Sequence, residues 1–317
     1  MDTHSKILIT GPRGLVGSAI VRRLKKEGYA NLLTPVHSDL ELLDQGAVSD
    51  YFESEKPEYV FLAAAKVGGI LANNTYPADF IYENLMIQNN ILHQSYLHQV
   101  KKLIFLGSSC IYPKLCPQPM KEAYLMTGPL EPTNSAYAVA KIAGIEMCWA
   151  YNRQYGTCFL PVMPTNLYGP NDNFDLDTSH VLPALLRKFH EAKLENRNSV
   201  TIWGTGHPKR EFLHVDDLAD ACVFLANSDS GQVDYAEKPL FNIGTGKDLS
   251  IFELSQLIKD ITGFNGKIVF DPSKPDGTPR KLLDISKVNT LGWNADISLK
   301  DGLESVYQWY IKEHCQS

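Results

Sequence analysis

Five short, mostly apolar runs alternate with amphipathic helical patterns through the first half of the chain, and that alternation leaves few folds open. The runs cover residues 6–10, 32–36, 59–65, 102–108 and 158–163, with helical patterns at 15–27, 46–54, 78–98 and 137–155 between them. A strand that is apolar on both faces has to be covered on both, so this order predicts a parallel sheet between two helical layers. Residues 174–198 contain an amphipathic helix, 180–192, and interrupt the pattern. Residues 210–246 read as a return to the first unit: a strand at 212–215, a helix capped near Asp216, and a strand at 240–243. The expected fold class is therefore α/β. It consists of a doubly wound parallel sheet from residues 1–173 and 204–250, and a smaller C-terminal α/β lobe from 174–203 and 251–317.

Composition narrows the partners. With a net charge of −6 the chain carries no basic footprint for nucleic acid or an anionic membrane, so local cations must meet any anionic ligand. No apolar run approaches the roughly 20 residues that span a bilayer. The polar start, Met1 to Lys6, runs straight into a strand, so no secretory signal is expected and the reading is cytoplasmic. The six cysteines (110, 116, 148, 158, 222 and 315) form no Cys-x-x-Cys pair and are expected as thiols. Nine scattered histidines lack metal-ligand spacing, so no metal site is expected.

The loop Gly11-Pro12-Arg13-Gly14-Leu15-Val16-Gly17 follows the first strand and opens the first helix. Glycines there allow a tight turn, close approach of backbone N–H groups to a diphosphate, and close helix–strand packing. A glycine triplet alone is weak evidence, but its placement makes it a dinucleotide loop of the Rossmann type. Its G-x-x-G-x-x-G spacing resembles that of the short-chain dehydrogenases. Selectivity at the adenosine ribose is set near the end of the second strand, where the chain offers His37, Ser38 and Asp39. Arg13 reads equally as a clamp for a 2′-phosphate or as a solvated loop arginine, and Asp39 favours a free 2′-hydroxyl if it faces the ribose. The balance is read as NADP(H).

Ser108 ends the fourth strand, and Tyr137 and Lys141 lie at i and i+4 on one helix face. A neighbouring ammonium and an oxidised nicotinamide both favour the phenolate, which brings an ordinary tyrosine towards useful acid–base chemistry. The strand-end serine can hydrogen-bond a reacting carbonyl. One Tyr-x-x-x-Lys is common as a surface pair. Joined to the glycine loop in this order, it predicts a reductase. Asn242 to Gly246 looks like a second phosphate loop but lacks the strand–glycine–helix context, so a turn into a helix capped at Ser250 is expected.

Further blocks run through nearly the whole chain: 107–114 (with Ser108, Ser109 and Cys110), 130–134, 137–144, 163–170, 180–192, 203–206, 210–217 and 275–281. With them the chain resembles the GDP-L-fucose synthases, the epimerase–reductases of the extended short-chain dehydrogenase/reductase family. The resemblance implies conversion of GDP-4-keto-6-deoxy-D-mannose to GDP-L-fucose, by epimerisation at carbons 3 and 5 and reduction at carbon 4. It implies that Cys110 and His180 move the protons and that Ser108, Tyr137 and Lys141 serve the carbonyl. Implied cofactor contacts, besides the glycine loop, His37, Asp39 and Lys141, are Leu106, Gly107, Pro164, Asn166, Leu167 and His180. Implied substrate contacts are Asn166, Arg187, Trp203, Arg210, Asp276 and Lys281. Apart from the resemblance, Cys110 reads as a buried thiol and His180 as a helix-start histidine. The family commonly carries arginine near position 37, where this chain has His37, and that weakens the preference for NADP(H).

The rival readings are a nucleotide-sugar epimerase with tightly bound NAD and a dinucleotide-sensing protein without catalysis. Helices 78–98 and 137–155 carry more apolar surface than one sheet contact needs. A homodimer through a four-helix bundle is therefore expected.

Overall fold

The computed structural model describes every residue except 177, 230, 275, 316 and 317, so Pro275 of the 275–281 block lies outside the described residues. The chain runs β1 (Ile7–Thr10), α1 (Leu15–Lys26), β2 (Leu32–Leu33), α2 (Gln45–Glu55), β3 (Tyr59–Leu62), α3 (Ile70–Thr75), α4 (Pro77–Leu97), β4 (Lys102–Leu106), α5 (Ser135–Tyr155) and β5 (Phe159–Pro164). It continues through β6 (Asn166–Tyr168), α6 (Val181–Leu194), β7 (Ser199–Trp203), β8 (Lys209–His214), α7 (Val215–Asn227) and β9 (Phe241–Ile243). The last elements are β10 (Asp248–Ser250), α8 (Ile251–Thr262), β11 (Lys267–Asp271), β12 (Arg280–Lys281), α9 (Ser286–Thr290) and α10 (Leu299–His314).

The main sheet has six parallel strands in the order β2-β1-β3-β4-β5-β9. Alternate side chains face opposite layers. Ile7 and Ile9 enter a core with Ile20 and Leu24 of α1 and Leu218 of α7. Leu8 enters another core with Phe52 of α2, Ile91 of α4 and Ile145 of α5. This is the doubly wound α/β fold expected from the alternation. A third core gathers Leu186 and Phe189 of α6, Leu254 and Ile258 of α8, and Leu303 and Val306 of α10.

Three expected strands end early, and beyond each end a side chain takes up backbone N–H groups. The strand read as 59–65 stops at Leu62, where Thr10 Oγ1 accepts from Ala63 N at 3.1 Å and from Ala64 N at 3.0 Å. The one read as 32–36 stops at Leu33, and Asp39 Oδ2 accepts from Val36 N at 3.1 Å. The one read as 102–108 stops at Leu106, because Ser108 caps a 3-10 turn over Ser109–Ile111.

The strand expected at 212–215 is the longer β8, and it does not join the main sheet. It pairs with β6 and β12 in parallel and with β10 antiparallel, whereas α7 packs on α1 and β9 joins β5. Val288 and Trp293 also return to the first core, so the C-terminal segment touches both parts of the molecule. The helix expected at Ser250 is present with a full capping box to Glu253.

Candidate active site

The sheet order reverses between β1 and β3, and in such sheets ligands sit beyond the carboxyl ends of the strands at that point. The glycine loop lies there. Gly11 has φ +66°, and a Cβ on Gly17 would stand 2.1 Å from the Gly11 carbonyl oxygen. The loop therefore excludes side chains at both positions and leaves its backbone open. Gly14 caps α1 without a side-chain acceptor, so the first N–H groups of the helix are free for an anion. Pro12, Leu15 and Val16 complete the cradle, each partly buried.

Exposed Arg13 makes no hydrogen bond or ion pair among the described residues. His37 pairs with Glu41 at 2.8 Å while its ring stays in solvent. The Asp39 carboxylate accepts from Val36 N and from the Ser38 hydroxyl, so it serves its own loop. A free guanidinium with no free carboxylate beside it fits a 2′-phosphorylated dinucleotide.

The groups expected to handle a carbonyl lie beyond β4, two strands along from β1. Ser108 Oγ lies 3.0 Å from Cys110 Sγ and accepts from Cys110 N at 3.4 Å. Buried Lys141 donates to the Leu106 carbonyl at 2.8 Å, and its ammonium stands 6.0 Å from the Tyr137 ring centre. Gly107 continues the strand by donating to Val162 O at 2.8 Å. Burial pushes the Tyr137 phenol well above its ordinary value and Cys110 adds to the rise, while a hydrogen bond with Ser108 offsets part of it. A phenol kept protonated is the species a reduction needs, since it must donate to the new alkoxide. Burial brings Lys141 down to about 8, against the pull of Cys110.

His180 is the N-cap residue of α6. Solvent reaches the ring, yet protein surrounds it on most sides, and that burial together with the charge of Lys281 lowers its pKa. Pro164 ends β5, Leu167 packs against the first core, and Asn166 Nδ2 donates to the Glu211 carbonyl at 2.8 Å. Trp203, the last residue of β7, is 63% exposed, enough to offer a face for stacking. Arg210 pairs in register with Lys281, and burial lowers the pKa of both. Asp276 accepts from Thr205 N at 2.7 Å and from Thr205 Oγ1 at 2.8 Å, so its carboxylate fastens two loops. Arg187 donates to Glu191 at 2.7 Å and to the Phe174 carbonyl at 3.2 Å.

Residues 7–244, three quarters of the chain, match the profile of the NAD dependent epimerase/dehydratase family. The chain belongs to this family. It is 58% identical over 314 residues to GDP-L-fucose synthase 1 of Arabidopsis thaliana, covering 99% of this chain and 95% of that one. It is 55% identical over 313 residues to GDP-L-fucose synthase of Escherichia coli strain K12, covering 98% of each. Among solved structures it is similar to a GDP-L-fucose synthetase from Naegleria fowleri bound to NADP. That match has a TM-score of 0.88 and 30% identity, and covers 98% of this chain and 95% of that one.

In this member of the epimerase/dehydratase family, three side chains bear on the site that the motifs do not single out. Lys188, one residue after Arg187, stands 5.7 Å from the Trp203 ring centre, and Lys274 stands 5.5 Å from it. Helical spacing from His180 allows either Arg187 or Lys188, and only the packing of α6 separates them. Glu211, fully buried, accepts from Thr245 N and Gly246 N at 2.7 Å and from Leu283 N at 2.9 Å. Its place in Arg-Glu-Phe was the signal available, since a carboxylate between a cation and an aromatic on a strand is seldom idle.

Proposed function

We propose that the chain is a GDP-L-fucose synthase, converting GDP-4-keto-6-deoxy-D-mannose by epimerisation at carbons 3 and 5 and reduction at carbon 4. The observation that carries the reading is the thiol of Cys110 within 3.0 Å of Ser108 Oγ, beside the buried Tyr137 and Lys141. A simple reductase has no use for a thiol at its carbonyl site. Two near-full-length relatives of that name, 55% and 58% identical, support it.

Carbons 3 and 5 both lie α to the keto group, so removing a proton from either places negative charge on one oxygen. Ser108 and Tyr137 donate to that oxygen in each enolate and again in the alkoxide formed on reduction. Cys110 and His180 form the proton-transfer pair. A lowered pKa makes the imidazolium of His180 the readier donor. NADP(H), when bound, supplies the hydride. Gly11 to Gly17, Arg13 and His37 hold its phosphates, with Leu106, Gly107, Lys141, Pro164, Asn166, Leu167 and His180 along the nicotinamide half. Trp203, Arg210, Asn166 and Lys281 take the sugar nucleotide, with Lys188 beside Trp203, while Arg187, expected as a further substrate contact, is held by Glu191. Asp276 serves by fixing the Thr205 loop. In this division residues 1–173 and 204–250 hold the cofactor, and 174–203 and 251–317 hold the substrate.

Two copies pair through α4 and α5, whose exposed Tyr82, Leu97 and Tyr155 support that face as an interface. No described helix is long and apolar enough to cross a membrane. Six free thiols and a need for NADPH suit a reducing cytoplasm.

The deciding assay follows loss of reduced-nicotinamide absorbance with GDP-4-keto-6-deoxy-D-mannose, resolves products by chromatography, and runs NADH in parallel. GDP-L-fucose equal to NADPH consumed is the expected result. Folded protein that turns over neither cofactor would remove this reading in favour of an epimerase with bound NAD.

A further inference from the structure

Lys281 falls to the substrate's diphosphate by resemblance, yet its surroundings point to Cys110. It ends β12 beside Arg210 and, with Cys110, Lys114 and Glu131, lines a small enclosed cavity behind the catalytic turn. The titratable groups facing it are Cys110 and Cys116 from the loop after β4, Glu131, Arg210, and His180 at the start of α6. Only Glu131 and the thiols can offset its charge, and Glu131 is occupied. Its carboxylate pairs with Lys114 at 2.9 Å and accepts from the Thr133 hydroxyl at 3.3 Å.

Lys281 itself makes no hydrogen bond or ion pair among the described residues, and its strand neighbour Arg280 turns onto Asp248. A partly buried ammonium beside a second cation is costly unless an anion forms near it. Burial lowers its pKa, Cys110 pulls it back up and Arg210 pushes it down again. The other groups around Cys110 are Ser108, Tyr137 and Lys141, and Lys141 is already fixed on the Leu106 carbonyl.

We propose that Lys281 is a positioning residue for epimerisation, its ammonium holding Cys110 as the thiolate that removes the sugar's proton. This rests on the epimerase reading above. In the step the carbon–hydrogen bond breaks and the proton goes to sulfur as S–H. The electron pair enters the enolate, whose charge sits on the keto oxygen at Ser108 and Tyr137. Lys281 stays protonated throughout. The imidazolium of His180 protonates the opposite face of the carbon, and the ion pair returns when the thiol gives its proton to solvent and His180 takes one up.

The test is the rate at which iodoacetamide alkylates Cys110, read on its own peptide by mass spectrometry. Full-length wild type, Lys281→Met and Lys281→Arg are compared at neutral pH. An opposite charge within about 4–6 Å favours the ionised form by a factor of about ten or more. The Lys281→Met rate is therefore expected to fall about tenfold, with the deficit closing in alkaline buffer, and Lys281→Arg should keep most of the wild-type rate. A fall of less than about threefold in Lys281→Met overturns the proposal, whatever happens to GDP affinity measured alongside. If Lys281→Met does not fold, Lys281→Gln takes its place under the same criterion. Alkylation needs no sugar, so failure to turn over the GDP-sugar would count against the function and leave this result standing.

Discussion

Lys141 shows how little of a candidate catalytic residue's behaviour lies in its identity. The i, i+4 spacing put it beside Tyr137, and the structure agrees. Its bond to the Leu106 carbonyl and its burial, which bring its pKa to about 8, depend on how α5 seats on β4. Lysine is charged below its pKa, so the charge that supports Tyr137 is present in neutral buffer and lost as pH rises through about 8. Reductase activity is expected to fall along that alkaline limb, measured as initial rates of NADPH oxidation across pH. A profile flat to pH about 10, the ordinary lysine range, would mean that the charge on Lys141 does not matter to the rate. At the same scale the sequence pointed to Arg187 and passed over Lys188, which stands by the Trp203 ring, and gave no sign that Asp39 would turn onto Val36 N. Side-chain direction follows from partners distant in the chain, and spacing alone does not contain them.

Among the elements, the central strands and long helices were legible because burial on two faces leaves continuous apolar runs. Their ends were not, since Thr10 Oγ1 and Ser108 stop β3 and β4 through bonds that no periodicity reports. Of the outlying strands, β7 was missed, and β8 was read only over 212–215 and placed with the main sheet. β7 alternates buried and exposed residues, and β8 opens on Lys209 and Arg210, so neither resembles a core strand. The seating of α5 depends on one helical glycine. A Cβ on Gly144 would stand 2.4 Å from the Phe105 ring and 2.8 Å from Gln88 Oε1. In an open helix alanine is better than glycine by about 1 kcal/mol. Here Gly144→Ala is expected to destabilise by about 1–3 kcal/mol through overpacking. Lost reductase activity should accompany it, because Lys141 lies one turn away. Urea unfolding with an unchanged slope and a lower midpoint would show this, and an unchanged midpoint would mean that α5 shifts freely.

Across the whole molecule, the two parts share β8 and the carboxylate of Glu211. Its backbone carbonyl takes Asn166, and its side chain takes the turn after β9 and the end of β12. The sequence indicated two parts but not this clasp, which joins residues scattered from 166 to 283. Pairing of copies also belongs to this scale. Light scattering of the wild type is expected to give twice the chain mass, and Tyr82→Glu on α4 should shift it towards the single mass by placing a charge in an apolar face. A monomeric wild type at micromolar concentration would remove the pairing.

Ser108 caps the turn that carries Cys110, and it does so through the Cys110 backbone N–H, which any residue except proline would supply. The thiol is therefore an ornament on a turn that stands without it. A lineage could give up epimerisation by a single codon change at position 110 and keep a working ketone reductase. Losing reduction first, at Ser108 or Tyr137, would also strip the donors that the enolates of epimerisation need. Descent from two activities to one thus has an easy direction written into the backbone.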